Sequence, residues 1–194
     1  MGESAAGRIP RDECEFHANY PILVSESLGI DPRYRRLHWH DALEINLIRR
    51  GSGYYHINGK TVEFRQGDIL LIGEKDLHRA YERENLHMLV ITFSPDWFLA
   101  DLRYDPALLA QFREFGAHYG HLIPHNHPRI ETLRGILLSL HEEYKRREEF
   151  HISVVRSHLL RFLAYVARDF RMHAPIRAGA RAGGRQAELF EKIR

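Results

Sequence analysis

Residues 38–51 read HWHDALEINLIRRG, and residues 67–78 read GDILLIGEKDLH. Side chains alternate between the two faces of a β-strand, so both histidines and the glutamate of the first stretch share one face. The histidine that ends the second stretch would come from another strand. Three imidazoles and a carboxylate can ligate a divalent transition metal or hydrogen-bond a polar small molecule. The four candidate ligands are His38, His40, Glu44 and His78.

Strand parity adds weaker candidates for a site of this kind. Asn46 shares the face of Glu44. Tyr54 and His56 share one face of a later strand, and His87 lies on a further strand, but the sequence leaves open which face of these two strands is inside. The full set of candidate ligand-binding residues is His38, His40, Glu44, Asn46, Tyr54, His56, His78 and His87.

Short strand-like runs fill the segment from about residue 22 to residue 95. Asn58-Gly59 stands between YYHI and TVEF, which is a strong signal for a two-residue type I′ hairpin. Residues 65–68 (RQGD) indicate the next turn. Several short antiparallel strands must close into a barrel or stack as a sandwich to protect their edges. We predict a mainly β fold, a double-stranded β-helix barrel.

The apolar residues change to a helical period after Pro95. We therefore predict two amphipathic helices, which pack on the barrel and complete its core or also present one face as a dimer interface. The apolar positions are Ile130, Leu133, Leu137, Leu140 and Tyr144 in the first helix and Val155, Leu159, Phe162, Val166 and Phe170 in the second.

The spacing H-x-H-x3-E-x6-G in residues 38–51 resembles the first motif of the cupin barrel. Gly67 and His78 stand at the separation found in the second cupin motif. Gly73, Lys75 and Glu82 replace its usual Pro, Gly and Asn, a difference in turn residues and not in ligands. This resemblance implies a barrel whose four candidate ligands hold Zn, Ni, Fe or Mn or, at the same positions, hydrogen-bond a polar effector without a metal. A purely structural pairing of Glu44 with a histidine inside the barrel is a third interpretation.

A second resemblance covers roughly residues 15–175. The segments HWHDALE (38–44), RGSGY (50–54), GDILLI (67–72) and ITFSP (91–95) resemble the N-terminal effector-binding domain of AraC-family transcription regulators. The resemblance implies that the barrel binds a small effector, that the helices form a homodimer, and that DNA is bound by a C-terminal domain with two helix-turn-helix motifs. That domain is absent from this chain.

The resemblance and the composition together suggest a division of the chain. Residues 174–185 are rich in Gly, Ala and Arg, which is typical of a flexible linker. The expected regions are an N-terminal arm (1–20), the cupin barrel (21–105), a helical dimerisation region (106–173), the linker (174–185) and the truncated start of a DNA-binding domain (186–194).

Charge and cysteine content narrow the cellular setting. The formal net charge is +2, but the segment 174–194 holds five basic and two acidic residues, which leaves 23 basic and 24 acidic residues in the remainder. We expect that nearly neutral body to bind nucleic acid weakly by itself. One cysteine, no signal peptide and no membrane-spanning stretch favour a cytoplasmic protein without a membrane partner.

Two classes of function fit these observations. The first, which we favour, is a non-enzymatic sensor in which a small polar effector changes the packing of the arm or of the helices. The alternative is a metal-dependent cupin enzyme, such as a dioxygenase or isomerase, with a catalytic Fe, Mn or Ni. The helical final third and the basic linker favour the sensor.

Overall fold

The computed structural model describes residues 9–17, 19–113 and 120–173, and in these residues an antiparallel sheet is followed by helices. The described strands are β1 (Ile22–Leu28), β2 (Leu43–Ile57), β3 (Lys60–Arg65), β4 (Ile69–Ile72), β5 (His78–Phe93) and β6 (Leu122–Ile123). The α-helices are α1 (Ala110–Arg113), α2 (Ile130–Arg146) and α3 (His151–His173), and 3-10 turns span Pro32–Tyr34, Pro95–Phe98 and Asp101–Arg103. The strand order is β1-β5-β2-β4-β6, with β3 paired to β2.

The turn between β2 and β3 is the predicted two-residue hairpin. Asn58 and Gly59 have φ values of 48° and 78°, as a type I′ turn requires, and Ile57 pairs with Lys60. The side chain of Asn58 also accepts a hydrogen bond from the backbone N–H of Leu77 at 2.9 Å. The hairpin is therefore tied to the loop that precedes β5.

The long strands β2 and β5 are antiparallel partners along nearly their whole length, and the sheet curls around an interior. On β5 the even-numbered side chains, such as Ala80 and Met88, belong to the apolar cluster inside the curl. The odd-numbered Leu89, Ile91 and Phe93 pack on the opposite face, against the helices. Both faces of the sheet are thus buried, and the predicted mainly β cupin barrel with C-terminal helices is confirmed.

An irregularity in β2 reverses its strand parity. The register against β5 shifts between Ile48 and Gly53, and Gly51 there has a φ of +82°. A Cβ atom on Gly51 would lie 2.1 Å from the carbonyl oxygen of Glu84, so the two backbones approach more closely than a side chain would permit. As a result, even-numbered residues face the interior before Gly51 and odd-numbered residues do so after it.

The two predicted helices are confirmed as α2 and α3. Arg147 ends α2 in the left-handed conformation, with φ 53° and its N–H bonded to the carbonyl of Glu143, and α3 begins at His151. Among the described side chains, the predicted apolar positions are buried against each other and the sheet, apart from the partly buried Tyr144. These stripes therefore complete the core of this chain.

The region 106–173, expected to be helical, also contains a strand. Leu122 and Ile123 form β6, which pairs with Leu70 and Ile69 of β4. The strand is two residues long, too short for an alternating pattern to reveal it.

None of the helices in the described part of the chain combines the length and the apolar character that a membrane-spanning helix requires.

Candidate functional site

The curled sheet encloses a cavity of about 580 Å³. This volume is in the range of small-molecule sites, roughly 300–1,000 Å³. Residues 12–15 of the arm and residues 23–27 of β1 line its upper part. The polar residues of its floor are His38, His40, Glu44, Asn46, Tyr55 and His78.

The three histidines of the floor share one hydrogen-bond pattern. The Nδ1 atom of each imidazole lies within hydrogen-bond distance of a backbone carbonyl oxygen, which can only accept. Nδ1 therefore carries a proton in each ring, so in the neutral imidazole the other nitrogen, Nε2, keeps a free lone pair. The carbonyls that accept from His38, His40 and His78 are those of Arg36, Ala42 and Asp76, at 2.9, 3.0 and 2.8 Å.

Glu44 lies at the centre of the floor and is 9% exposed. Its Oε2 atom is 3.2 Å from Nε2 of His40, and its Oε1 atom accepts a hydrogen bond from Nδ2 of Asn46 at 2.6 Å. Burial opposes ionisation of Glu44, but the hydrogen bond from His40 and the nearby charge of His78 lower its pKa to about 2. Burial similarly opposes the charge of His40, yet the hydrogen bond to Glu44 raises its pKa. Glu44 is therefore a carboxylate at neutral pH.

Asn46 is fully buried and has one unused atom. Its Nδ2 atom contacts the Glu44 carboxylate, which can only accept, so the orientation of the amide is determined and Oδ1 points elsewhere. Nδ2 also lies 3.2 Å from the hydroxyl of Tyr55, and burial raises the pKa of Tyr55 well above its usual value, which keeps it protonated. Oδ1 of Asn46 has no hydrogen-bond partner among the described residues.

The geometry of the floor suits a metal ion. Burial lowers the pKa of His78 to about 4, so its imidazole is neutral at pH 7 and can be a ligand. Donor atoms of His40, Glu44 and His78 all lie within 4.8 Å of one another. The ring of His38 is next to this group, 4.2 Å from the ring of His78 between centroids, and its Nε2 is 3.9 Å from Oδ2 of Asp12.

The described part of the arm is attached beside these histidines. Its backbone pairs with Trp39, the residue between His38 and His40: the N–H of Asp12 donates to the Trp39 carbonyl at 2.8 Å, and the N–H of Trp39 donates to the carbonyl of Pro10 at 3.3 Å. Ion pairs between Arg11 and Asp41 and between Arg36 and Asp12 reinforce the contact. The arm is thus held at the mouth of the cavity by the segment that supplies two floor residues.

The structure does not bring three of the sequence-predicted candidates to this cavity. Tyr54 and His56 lie on the opposite face of β2, where both rings contact Tyr81, at 4.7 and 5.0 Å between centroids. His87 faces outward from β5, and its Nε2 is 3.2 Å from Glu26 at a separate surface depression. The change of parity at Gly51 explains the first two positions, and the unbroken parity from His78 explains His87.

Other residues of the cavity were missed at the sequence level. Tyr55 faces inward because of the β2 irregularity, for which the adjacent glycines in Gly51-Ser52-Gly53 were an available signal. Met88, Val90 and Thr92 share the parity of His78, so a single long strand β5 would have predicted them. Asp12 reaches the cavity from the arm, and strand patterns carry no information about that contact.

Comparisons with known proteins support a family assignment. Residues 20–163 match the family model described as the AraC-like ligand binding domain. A segment of 89 residues is 34% identical to the uncharacterized HTH-type transcriptional regulator YdeC of Bacillus subtilis strain 168. That segment is 45% of this chain and spans 30% of the length of the regulator.

Solved structures show more distant likenesses. ToxT from Vibrio cholerae O395 is 12% identical with a TM-score of 0.45 over 79% of this chain and 56% of that one. The AraC-like transcriptional activator CuxR is 13% identical with a TM-score of 0.44 over 76% and 54%. A predicted oxalate decarboxylase from Thermotoga maritima is 24% identical with a TM-score of 0.32 over 39% and 69%. The TM-scores of these structures are all below 0.5. The family match, in contrast, covers about three quarters of the sequence. The chain therefore belongs to the AraC-like ligand-binding domain family.

Proposed function

We propose that this chain is the effector-sensing domain of a transcription regulator, and that a small polar molecule binds in the barrel. The observation that carries the proposal is a cavity of about 580 Å³ whose floor is buried and polar and whose mouth is lined by the arm. Glu44 and Asn46 supply hydrogen-bonding groups there, and apolar residues of β1 and β5 supply contact area. A binding role without turnover requires no further group.

The arm and the helices are suited to report occupancy of the cavity. A ligand that contacts both the floor and residues 12–15 binds better when the arm is closed, and it shifts the equilibrium by that difference in affinity. At its other end the arm reaches α3, because Tyr20 meets the ring of His151 edge-on at 6.3 Å between centroids. The arm therefore connects the cavity with the start of α3.

A divalent metal is a further part of this proposal. His40, Glu44 and His78, with His38 beside them, would hold Zn, Ni, Fe or Mn through their Nε2 and carboxylate atoms, with loss of the proton that Nε2 of His40 donates to Glu44. Such an ion would supply an electrophilic centre for an oxygen or nitrogen atom of the effector. The backbone carbonyls that bind Nδ1 of each histidine would orient the rings for that role.

Homodimerisation and DNA binding complete the proposed role, and both rest on membership of the family. The apolar stripes of α2 and α3 are buried within the chain, so they do not by themselves call for a dimer interface. The proposal assigns DNA binding to a C-terminal domain of the regulator, and Arg- and Gly-rich residues 174–185 to the linker.

A metal-dependent enzyme is the second candidate, favoured by the convergence of three imidazoles and a carboxylate on one cavity. The two candidates differ in what happens to the bound molecule. A sensor returns its ligand unchanged, whereas an enzyme consumes it in a reaction that depends on metal and on Glu44.

The test is a ligand screen by thermal shift on the chain, with chelator and separately with each metal, followed by calorimetric titration. We expect one ligand per chain, a higher melting temperature, and recovery of unchanged ligand. Glu44→Gln should weaken binding at least tenfold. Glu63→Gln, the same substitution at an exposed side chain of β3, should leave binding unchanged. Catalytic loss of the ligand that depends on Glu44 would contradict the sensor, as would absence of any ligand.

A further inference from the structure

The polar floor of the cavity offers more free hydrogen-bond acceptors than donors, and the hydroxyl of Tyr55 is its available donor. From this we infer that the effector is a small organic cation, a primary amine with an apolar body, and not a carboxylic acid. The inference rests on the proposed effector-binding function with the floor free of metal, and it specifies the chemical class of the ligand.

The acceptor atoms without a partner indicate that the ligand carries hydrogen-bond donors. Two buried side-chain atoms in the cavity lining have no hydrogen-bond partner among the described residues, Oδ1 of Asn46 and Oδ2 of Asp12, and both are acceptors. Asn46 is fully buried, so its Oδ1 atom has little access to bulk water. A ligand that donates hydrogen bonds relieves this deficit, whereas a carboxylate adds further acceptors.

The neighbouring groups extend the same pattern. Glu44 is an acceptor next to Asn46, 2.6 Å from its amide nitrogen. In His38 and His78, Nδ1 donates to a backbone carbonyl, so Nε2 is the ring nitrogen that can accept a hydrogen bond. An ammonium group carries three N–H donors and no acceptor, so it matches a floor that offers carboxylate, amide and imidazole lone pairs.

The cavity also lacks a free positive group to receive an anion. Among the described residues that line it, Arg33 alone is a lysine or arginine, and its guanidinium is bound to Asp31 at 2.8 Å. Six acidic residues border the same cavity. Asp12, Glu26 and Asp31 pair with arginines, and the Glu26 carboxylate faces outward next to His87. Glu13, Glu15 and Glu44 have no arginine or lysine partner in the described part of the chain, and Glu44 is hydrogen-bonded to His40. A bound carboxylate would face net repulsion.

The remaining lining explains why the cation should have an apolar body. Leu23 of β1 and Met88 and Val90 of β5 contribute apolar side chains, and Tyr34 and Tyr55 contribute aromatic rings. Aromatic faces attract organic cations as well as apolar groups. A small alkyl or arylalkyl amine would satisfy both parts of the lining.

The experiment compares compounds that share a body and differ in the polar group. Benzylamine, benzyl alcohol and benzoate form one set, and butylamine, 1-butanol and butyrate form another. Binding to the chain is measured by ligand-observed NMR titration in EDTA, at neutral pH and constant ionic strength. We expect each amine to bind at least tenfold more tightly than its alcohol, and each carboxylate to show no saturable binding.

Variants locate the preference. Glu44→Gln should lower amine affinity about tenfold and change alcohol affinity little, while the exposed control Glu63→Gln should change neither. If Glu44→Gln does not fold, the ranking within each set on the unaltered chain still decides the question.

The other possible results bear on different claims. Tightest binding by the carboxylates, or equal binding of amine and alcohol, overturns the amine inference and leaves the effector-binding function standing. Carboxylate binding that appears only when Zn²⁺ replaces EDTA also overturns it, since the anion then binds through a metal. If no member of either set binds, the amine inference is overturned, and the broader ligand screen by thermal shift decides the proposed function separately.

Discussion

The two faces of the sheet differ in what their side chains contact. On the helix-facing side, Ile45, Leu47 and Phe93 are fully or almost fully buried among apolar groups of α2 and α3. On the cavity side, Glu44 and Asn46 alternate with Ile45 and Leu47 along β2 and contact polar groups instead. One strand therefore contributes every second residue to stability and the others to recognition.

This difference predicts that neighbouring residues of β5 will respond very differently to truncation. Phe93→Ala should lower the free energy of unfolding by about 3–5 kcal/mol, because the ring packs edge-on against Phe98 and Phe112 on the helix side. Thr92→Ala, next in sequence but facing the cavity, should cost less than about 1 kcal/mol. Urea unfolding measures both. Equal losses would show that the two faces are not distinct.

Low pH should lower the free energy of unfolding mainly through the histidines on the cavity face of the sheet. Burial lowers the pKa of His78 from 6.5 to about 4, so between these values the unfolded chain binds a proton that the folded chain does not. Stability should therefore fall as pH falls through this window, by up to about 3 kcal/mol at 1.36 kcal/mol per pKa unit. His40, whose pKa is raised, acts in the opposite direction.

The measurement is chemical unfolding of metal-free protein at several pH values between 7 and 4. The His78→Gln variant should have a flatter profile than the unaltered chain. An identical slope for His78→Gln and the unaltered chain would exclude His78 as the source.

The irregularity in β2 can be tested with two glycines of positive φ. Gly51→Ala and Gly59→Ala both incur strain in the left-handed region, about 1 kcal/mol. At Gly51 the added Cβ atom would also collide with the backbone of Glu84, whereas at Gly59 nothing lies within 4 Å. We expect Gly51→Ala to be more destabilising by about 2 kcal/mol. Equal effects in thermal unfolding would argue against the close approach of β2 and β5.

The substitutions with the smallest expected effect on stability compare the two faces of β2 after Gly51. Tyr55→Phe removes a hydroxyl inside the cavity, next to Asn46, and should change ligand affinity severalfold with a stability change of about 1 kcal/mol or less. Tyr54→Phe, on the outer face against Tyr81, should leave affinity unchanged. Calorimetric titration of both variants decides, and the reverse result would show that the parity does not change.

Local patterns of apolar and turn residues were sufficient for the strands, the hairpin at Asn58-Gly59 and both helices. The choice of a barrel over a sandwich depended on the cupin resemblance. It also placed His38, His40, Glu44 and His78 in one cavity, as regular strands preserve parity. Parity failed after Gly51 because one irregularity exchanges the two faces. The arm contact at Trp39 joins residues far apart in sequence, and the periodicity of a segment does not predict such a contact.

The unbroken alternation of β5 has an evolutionary consequence. Because Ala80, Met88 and Val90 point away from the helix layer, substitutions there can alter the shape of the chamber while Leu89 and Phe93 keep the scaffold intact. Descendants of one ancestral gene could thus acquire new chemical preferences through a few exchanges on a single strand. Deleting one residue from that strand would instead transpose its inward and outward side chains and abolish both properties together.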